Sequence, residues 1–287
     1  MENTYSENDA TPPAVVVDNL TYRYPNGHLA LKGVSLEITQ GRTTAVIGKN
    51  GTGKTTLAKH LNSLLKPTSG SVTVMGIDAS KRTTSEMAGS VGYVFQNPED
   101  QLFEASVFEE VAFGPRNLGM TKAQIKQSVN EALSLVDLLP HVSTHPYNLT
   151  YGQRKMLCIA SVLAMEPQIV VLDEPNAGQD FSGLNRLGKI LEELNRKNKT
   201  VIIISHDIEF VASHSNEAIV MHDGRVTAND ATRVVLSNSS VLATSALRPP
   251  LVTRLAIRLS KHGIKNDAMT PEELVEDISR IVAGRGP

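Results

Sequence analysis

Gly48, Lys49, Asn50, Gly51, Thr52, Gly53, Lys54, Thr55 and Thr56 stand in the order that a phosphate-binding loop requires. The glycines let the backbone curl until successive N–H groups face the oxygens of a polyphosphate. Lys54 adds a point charge, and the Thr55 hydroxyl is a ligand for Mg²⁺. The apolar run 43–47 before the loop reads as a strand and residues 57–65 after it as a helix, whose N-terminal dipole faces the same phosphates. Strand, loop and helix in this order point to a nucleoside triphosphate.

A second set of polar residues sits at the ends of other apolar runs. Ile169, Val170, Val171 and Leu172 lead into Asp173 and Glu174, and Pro175 then stops the strand. A buried strand places Asp173 at its carboxyl end, where it can hold Mg²⁺, and Glu174 one residue on is positioned to polarise an attacking water. The run 201–204 ends in Ser205, His206 and Asp207. If that strand neighbours the Asp173 strand, His206 reaches the γ-phosphate. Gln96 follows the run 91–95, and its amide can contact both Mg²⁺ and the water.

These residues need a scaffold, and the pattern of the chain supplies one. Strands are expected over 15–24 and 33–38, with a turn at Asn26 and Gly27, and over 72–74, 91–95, 169–172 and 201–205. Helices are expected over 121–136, 153–163 and 184–195. Apolar strands alternating with helices predict an α/β fold with a mostly parallel sheet covered on both sides, its phosphate site at the strands' carboxyl ends. Residues 1–14, polar and acidic, read as a flexible tail and not a signal peptide. A boundary is expected near residue 240, followed by a small helical segment, 241–287. Within it, 252–259 and 272–282 look helical, with Thr270 as N-cap, Pro271 at the first position and Glu273 as reciprocal cap. So short a piece is expected to pack on the main domain or on another subunit.

The 287 residues carry a net charge of −2, which gives no electrostatic case for nucleic acid. Cys158, the single cysteine, reads as a buried helix residue. No segment approaches the ~20 apolar residues that cross a bilayer.

With these motifs in view, the chain resembles an ATP-binding-cassette (ABC) ATPase, and more narrowly the ATPase of energy-coupling-factor importers of cobalt, nickel and vitamins. The broad resemblance covers residues 15–240 and runs in order through Tyr24, the loop 48–56, Gln96, a signature at Leu149, Thr150, Tyr151, Gly152 and Gln153, then Asp173 and Glu174, the turn 176–180, and His206. The narrower one rests on FQNPEDQLFEASVFEEVAFGPRNLGM, residues 95–120, and on Leu247, Arg248, Pro249 and Pro250.

The resemblance implies a P-loop cassette with an antiparallel β subdomain and a helical subdomain at about 97–165. It also implies that Tyr24 stacks on adenine, that Thr55, Gln96 and Asp173 attend Mg²⁺, and that Glu174 and His206 act on the γ-phosphate of ATP. The signature would serve the nucleotide of a second ATPase subunit, a copy of this chain or a paralogue. The common signature is LSGGQ. Here Thr150 keeps a hydroxyl, Tyr151 stands for a glycine, and Gln179 stands for a commoner leucine in the following turn. A transmembrane coupling subunit and a substrate-binding membrane subunit are implied as partners, with the chain on the cytoplasmic side of the cell membrane. The acidic stretch Glu99, Asp100, Glu104, Glu109 and Glu110 is a candidate docking face for a basic helix. An exporter ATPase is the alternative within the family. A nucleic-acid clamp is the alternative outside it, one that usually carries a coiled coil or two cassettes in one chain.

Overall fold

The computed structural model describes residues 12–283. β1 (Pro13–Arg23) and β2 (Leu29–Thr39) form a long antiparallel pair, and β3 (Thr43–Ile47) then leads into α1 (Lys54–Leu61). β4 (Ser69–Val74), β5 (Ile77–Asp78), the single turn α2 (Thr84–Met87) and β6 (Val91–Val94) follow. Three helices come next, α3 (Val107–Asn117), α4 (Lys122–Leu135) and α5 (Tyr151–Leu163). β7 (Ile169–Asp173), α6 (Phe181–Arg196), β8 (Thr200–Ile204), α7 (Ile208–His214), β9 (Glu217–His222) and β10 (Arg225–Ala231) complete the sheets. The chain continues with α8 (Thr232–Ser237), α9 (Ser239–Thr244), α10 (Leu251–Leu259) and α11 (Pro271–Ala283).

The larger sheet has the order β10-β9-β3-β8-β7-β6, parallel from β9 to β6, and the smaller antiparallel sheet has the order β2-β1-β4-β5. Every residue of β3, β7 and β8 is buried, which explains why they read as nearly unbroken apolar runs. Alternation still operates within them. Val170, Leu172, Val201 and Ile203 pack among α3 to α6, whereas Ile169, Val171, Ile202 and Ile204 pack toward α1 and the antiparallel sheet. The parallel register pairs Asp173 with Ile204, Leu172 with Val94, and Val46 with Ile204. The residues that follow β3, β6, β7 and β8 therefore emerge on one edge, and they are the loop 48–56, Gln96, Glu174 and His206.

Several expected boundaries shift. β1 begins at Pro13, so it takes up the last two residues assigned to the tail; residues 1–11 lie outside the described residues. The helix after the phosphate loop stops at Leu61 and not at residue 65, because Ser63 adopts φ 63° and its hydroxyl donates to the Ala79 carbonyl. β9 and β10 were not anticipated, nor was α3, whose Pro115 sits in its last turn where it does not stop the helix from forming. Ser106 caps α3 by accepting from Glu109 N.

No break in packing falls at residue 240. Leu242 is buried with Val235 and Leu236 against Ala45, Ile47 and Val220. Beyond it, α10 and α11 enclose a small core of Ala256, Ile264, Ala268 and Leu274, and Met269 joins the cluster under β3 and β9. The Arg233 guanidinium holds Glu273 at 2.6 Å and keeps its carboxyl below the usual range. Thr270 accepts from Glu273 N at 3.3 Å, and Glu273 reaches back to Met269 N at 2.8 Å.

Candidate active site

The phosphate loop is shaped by its glycines and by what lies beneath them. Gly48 has φ 152°, and a Cβ there would stand 2.4 Å from the Met221 carbonyl. Gly53 has φ 99°, and its Cβ would meet the Ala30 carbonyl at 2.8 Å. Any side chain at either position would push the loop off its support. That support is the β9–β10 hairpin, since Gly224 N donates to the Thr52 carbonyl and Lys32 N to the Gly224 carbonyl. Thr52 turns inward, its hydroxyl donating to the Lys49 carbonyl.

Above the loop lies a cavity of about 350 Å³ lined by Tyr24, His28, Asn50, Gly51, Gly53, Lys54, Thr55, Thr56, Gln96, Asp173 and Glu174. Lys54 Nζ donates to the carbonyls of Gly48 and Lys49 at 2.7 and 2.9 Å, and burial lowers its pKa against the pull of Glu174 and Asp173. The Tyr24 hydroxyl meets the Thr56 hydroxyl at 3.0 Å, and its ring stacks at 20° with His28, 6.4 Å away. His28 was not singled out from the sequence; no motif marks it.

Asp173 Oδ2 accepts from the Thr55 hydroxyl at 3.0 Å and from the Tyr93 phenol at 2.9 Å. Burial pushes the Tyr93 phenol up, which keeps it a donor, and raises the Asp173 carboxyl against the lowering effect of these two bonds. Asp173 Oδ1 is buried with no partner. A buried carboxylate oxygen left open beside a hydroxyl and the Gln96 amide is an all-oxygen donor set suited to a hard divalent cation such as Mg²⁺.

Glu174 follows at φ 48°, a backbone conformation that an L-residue adopts only when its surroundings hold it. Glu174 N donates to the Ile204 carbonyl at 2.8 Å, and Lys155 Nζ donates to the Glu174 carbonyl. The Glu174 carboxylate contacts His206 Nδ1 at 2.8 Å and lies buried, while the His206 ring is mostly exposed. Ser205, Asn176 and Asp207 form a closed network behind them. Lys155, 2% exposed in the second turn of α5, is, with His28 and Tyr93, a residue that sequence reasoning missed. Its one signal was a lysine inside an otherwise apolar helix face.

Thr150, Tyr151, Gly152 and Gln153 line a different cavity, of about 530 Å³, that shares no residue with the first. Leu149 is buried behind them. Thr150 caps α5 in a capping box, accepting from Gln153 N at 3.3 Å while the Gln153 side chain accepts from Thr150 N at 3.0 Å. Thr150 is exposed, so its hydroxyl stays open to a ligand.

The ABC transporter family model matches residues 31–177, more than half of the chain. The chain belongs to the ABC transporter family. The cassette is 39% identical to the energy-coupling factor transporter ATP-binding protein EcfA of Methanocaldococcus jannaschii over 86% of this chain and 89% of that one. It is 42% identical to the EcfA of Carboxydothermus hydrogenoformans over 84% of this chain and 89% of that one. Two ABC transporter ATP-binding proteins, from Methanosarcina acetivorans and Methanosarcina mazei, are 42% and 43% identical over 88% and 87% of this chain; the cassette spans only about four-tenths of their length, 41% and 42%. Among solved structures, cbiO1 from Clostridium perfringens, part of the ABC transporter complex cbiONQ, superposes with a TM-score of 0.72 at 35% identity, covering 88% of this chain and 97% of that one. A dimeric cassette in a post-hydrolysis state with ADP and Pi gives 0.71 at 26% identity, over 76% and 98%.

One expectation about the cassette's surface is corrected. Glu110 is not part of an acidic docking face: it is 3% exposed, and its carboxylate accepts from Phe103 N and Glu104 N at 2.9 and 2.8 Å. Burial raises its pKa. Glu109 is paired with Arg116, and Glu99 lies 3.5 Å from Arg154. Glu99 and Asp100 stay exposed in this segment, and so does an edge-on pair of Phe103 and Phe113 with ring centroids 4.8 Å apart. Cys158 is buried on α5, and burial raises its thiol pKa, which suits a packing residue.

Proposed function

We propose that the chain is the ATP-hydrolysing subunit of an energy-coupling-factor importer, closing on ATP as a dimer and driving separate membrane subunits that take up a transition-metal ion or vitamin. The observation that carries the chemistry is the Glu174 carboxylate, held by His206 and set one residue beyond Asp173 at the edge where the phosphate loop opens. The relatives named EcfA and the likeness to cbiO1 support the importer type.

Loop amides and Lys54 bind the β- and γ-phosphates of ATP, and the ring of Tyr24 takes the adenine face. Thr55, Asp173 and Gln96 hold Mg²⁺, which when bound neutralises phosphate charge. Glu174 accepts a proton from the attacking water as it approaches phosphorus, and His206 fixes the carboxylate's orientation through Nδ1 and, when its ring carries a proton on both nitrogens, donates from Nε2 toward the γ-phosphate. The exposed Thr150 hydroxyl and the amides at the start of α5 engage the γ-phosphate held by a second cassette, so a pair of chains makes two composite sites. Separate cavities for loop and signature support this arrangement. Among the described residues no helix is long and apolar enough to cross a membrane. On this reading the chain works at the cytoplasmic face of the membrane, with Phe103 and Phe113 as its apolar contact for a membrane subunit.

Steady-state turnover of MgATP tests this reading. Wild type hydrolyses ATP, and Glu174→Gln binds ATP with similar affinity but turns it over at least about a hundredfold more slowly, as expected for loss of a general base. Equal rates would contradict the assignment.

A further inference from the structure

Two departures from the family's common pattern, Tyr151 in the signature and Gln179 in the turn 176–180, lie against one another's loops. The Tyr151 ring rests on the backbone of Gly178, where a Cβ would stand 2.6 Å from its Cε1, and Gly178 has φ 74°. From the opposite side the Gln179 amide donates to the Gly152 carbonyl at 3.2 Å, and its Oε1 fills the space above Gly183 at the start of α6. Each residue of one segment thus grips a glycine of the other. The outer face of the Tyr151 ring carries the Arg154 guanidinium at 5.9 Å from its centroid. Arg154 also sits 5.7 Å from the Tyr147 ring and 3.5 Å from Glu99, in the segment after Gln96.

The capping box makes residues 150–153 a rigid unit, so the freedom left to the signature is movement as a body relative to the rest of the chain. The turn 176–180 is itself tied to Glu174, through Ala177 N to the Glu174 carbonyl and Gln179 N to the Asn176 carbonyl. We propose that Tyr151 and Gln179 form a latch that fixes the signature to the turn following Glu174 of the same chain, which makes both of them positioning residues for ATP-driven closure. The idea rests on the dimer reading above. Its consequence is coupling: a signature that engages the partner's γ-phosphate also sets the turn beside its own catalytic base, so the two composite sites close together.

The test is ATP-driven dimerisation of the full chain in a Glu174→Gln background, followed by sedimentation, with monomer affinity for ATP and the thermal midpoint measured in parallel. Tyr151→Ala and Gln179→Ala each raise the ATP concentration for half-dimerisation by about tenfold, the scale of one aromatic packing or hydrogen-bond contact. They leave monomer affinity for ATP within error, because both residues lie outside the loop cavity, and lower the midpoint by no more than about 2–4 °C, the scale of one lost surface contact. The double variant loses no more than the worse single variant, since one latch is opened either way. Tyr151→Phe restores closure, as the ring and not the hydroxyl makes the contact. In otherwise wild-type chain, the Hill coefficient for ATP falls toward one in Tyr151→Ala. Losses that multiply in the double variant, or a Tyr151→Ala chain that dimerises like its parent, overturn the latch alone. A parent that does not dimerise on ATP overturns the dimer reading and the latch with it.

Discussion

Lys155→Met separates stability from catalysis in a way that the position of Lys155 makes calculable. The ammonium is buried and donates to the Glu174 carbonyl, and burial lowers its pKa despite the nearby carboxylates. Methionine keeps the volume of the side chain and removes one charged hydrogen bond, a contribution of about 1.5–3 kcal/mol. It also relieves the cost of burying a charge, so global stability changes by no more than about 1.5 kcal/mol. The turn at Glu174 has no such compensation. Its φ of 48° costs about 1–2 kcal/mol and is opposed by the Ile204 bond, the His206 contact and Lys155. Without Lys155 the carboxylate leaves its place for a large part of the time. A loss of about 1.4–2.8 kcal/mol in the transition state is a tenfold to hundredfold fall in kcat, with KM for ATP within about threefold because the loop is untouched. Urea unfolding and steady-state turnover on the same preparation measure both quantities. A stable variant with wild-type kcat would refute the claim that Lys155 holds the base in position.

Other consequences follow from individual residues. Because burial raises the Glu110 carboxyl above its ordinary 4.5, the stability that it confers when neutral is present below that value and lost as pH rises through the folded pKa. Glu110→Gln, which still accepts from Phe103 N and Glu104 N, therefore gains on wild type in urea melts between pH 5 and pH 8, whereas parallel melts would contradict this; Glu110→Ala leaves both donors unpaired and costs about 2–4 kcal/mol. Asp173→Asn raises the Mg²⁺ concentration that half-saturates turnover by at least about tenfold, and an unchanged titration would remove Asp173 from the cation site. Phe181, 80% exposed on the first residue of α6 beside the signature cavity, is expected to be covered on closure. Phe181→Asp then weakens ATP-driven dimerisation by roughly tenfold to a hundredfold, the cost of about 1.5–3 kcal/mol of lost burial, and an unaltered dimer would place Phe181 outside the interface.

The sheet's centre was legible because β3, β7 and β8 are buried on both faces and so leave apolar runs with functional residues at their ends. The parallel order brought Gln96, Asp173, Glu174 and His206 to one edge, as alternating strands and helices had implied. The β9–β10 hairpin escaped notice, although its Asp223 and Gly224 turn and the run Ala218 to Met221 were visible, because β10 alternates with only shallow burial. Helix α3 was hidden by Gly114 and Pro115, two breakers that fall near its end. The role of Glu110 could not be read, since an acidic residue in an acidic run looks solvated until Val111 and Val107 draw it into the core beside them. The Lys155–Glu174 contact and those of Tyr151 with Gly178 and Gln179 with Gly152 are tertiary facts, each joining segments about 20 to 30 residues apart.

The most direct test of the central claim is the molecular mass in solution of Glu174→Gln with and without ATP. The account predicts a monomer without nucleotide and a dimer holding two ATP molecules with it, formed by this chain alone if Thr150 and Tyr151 make a working signature. A chain that binds ATP stoichiometrically yet remains monomeric would contradict closure between two copies.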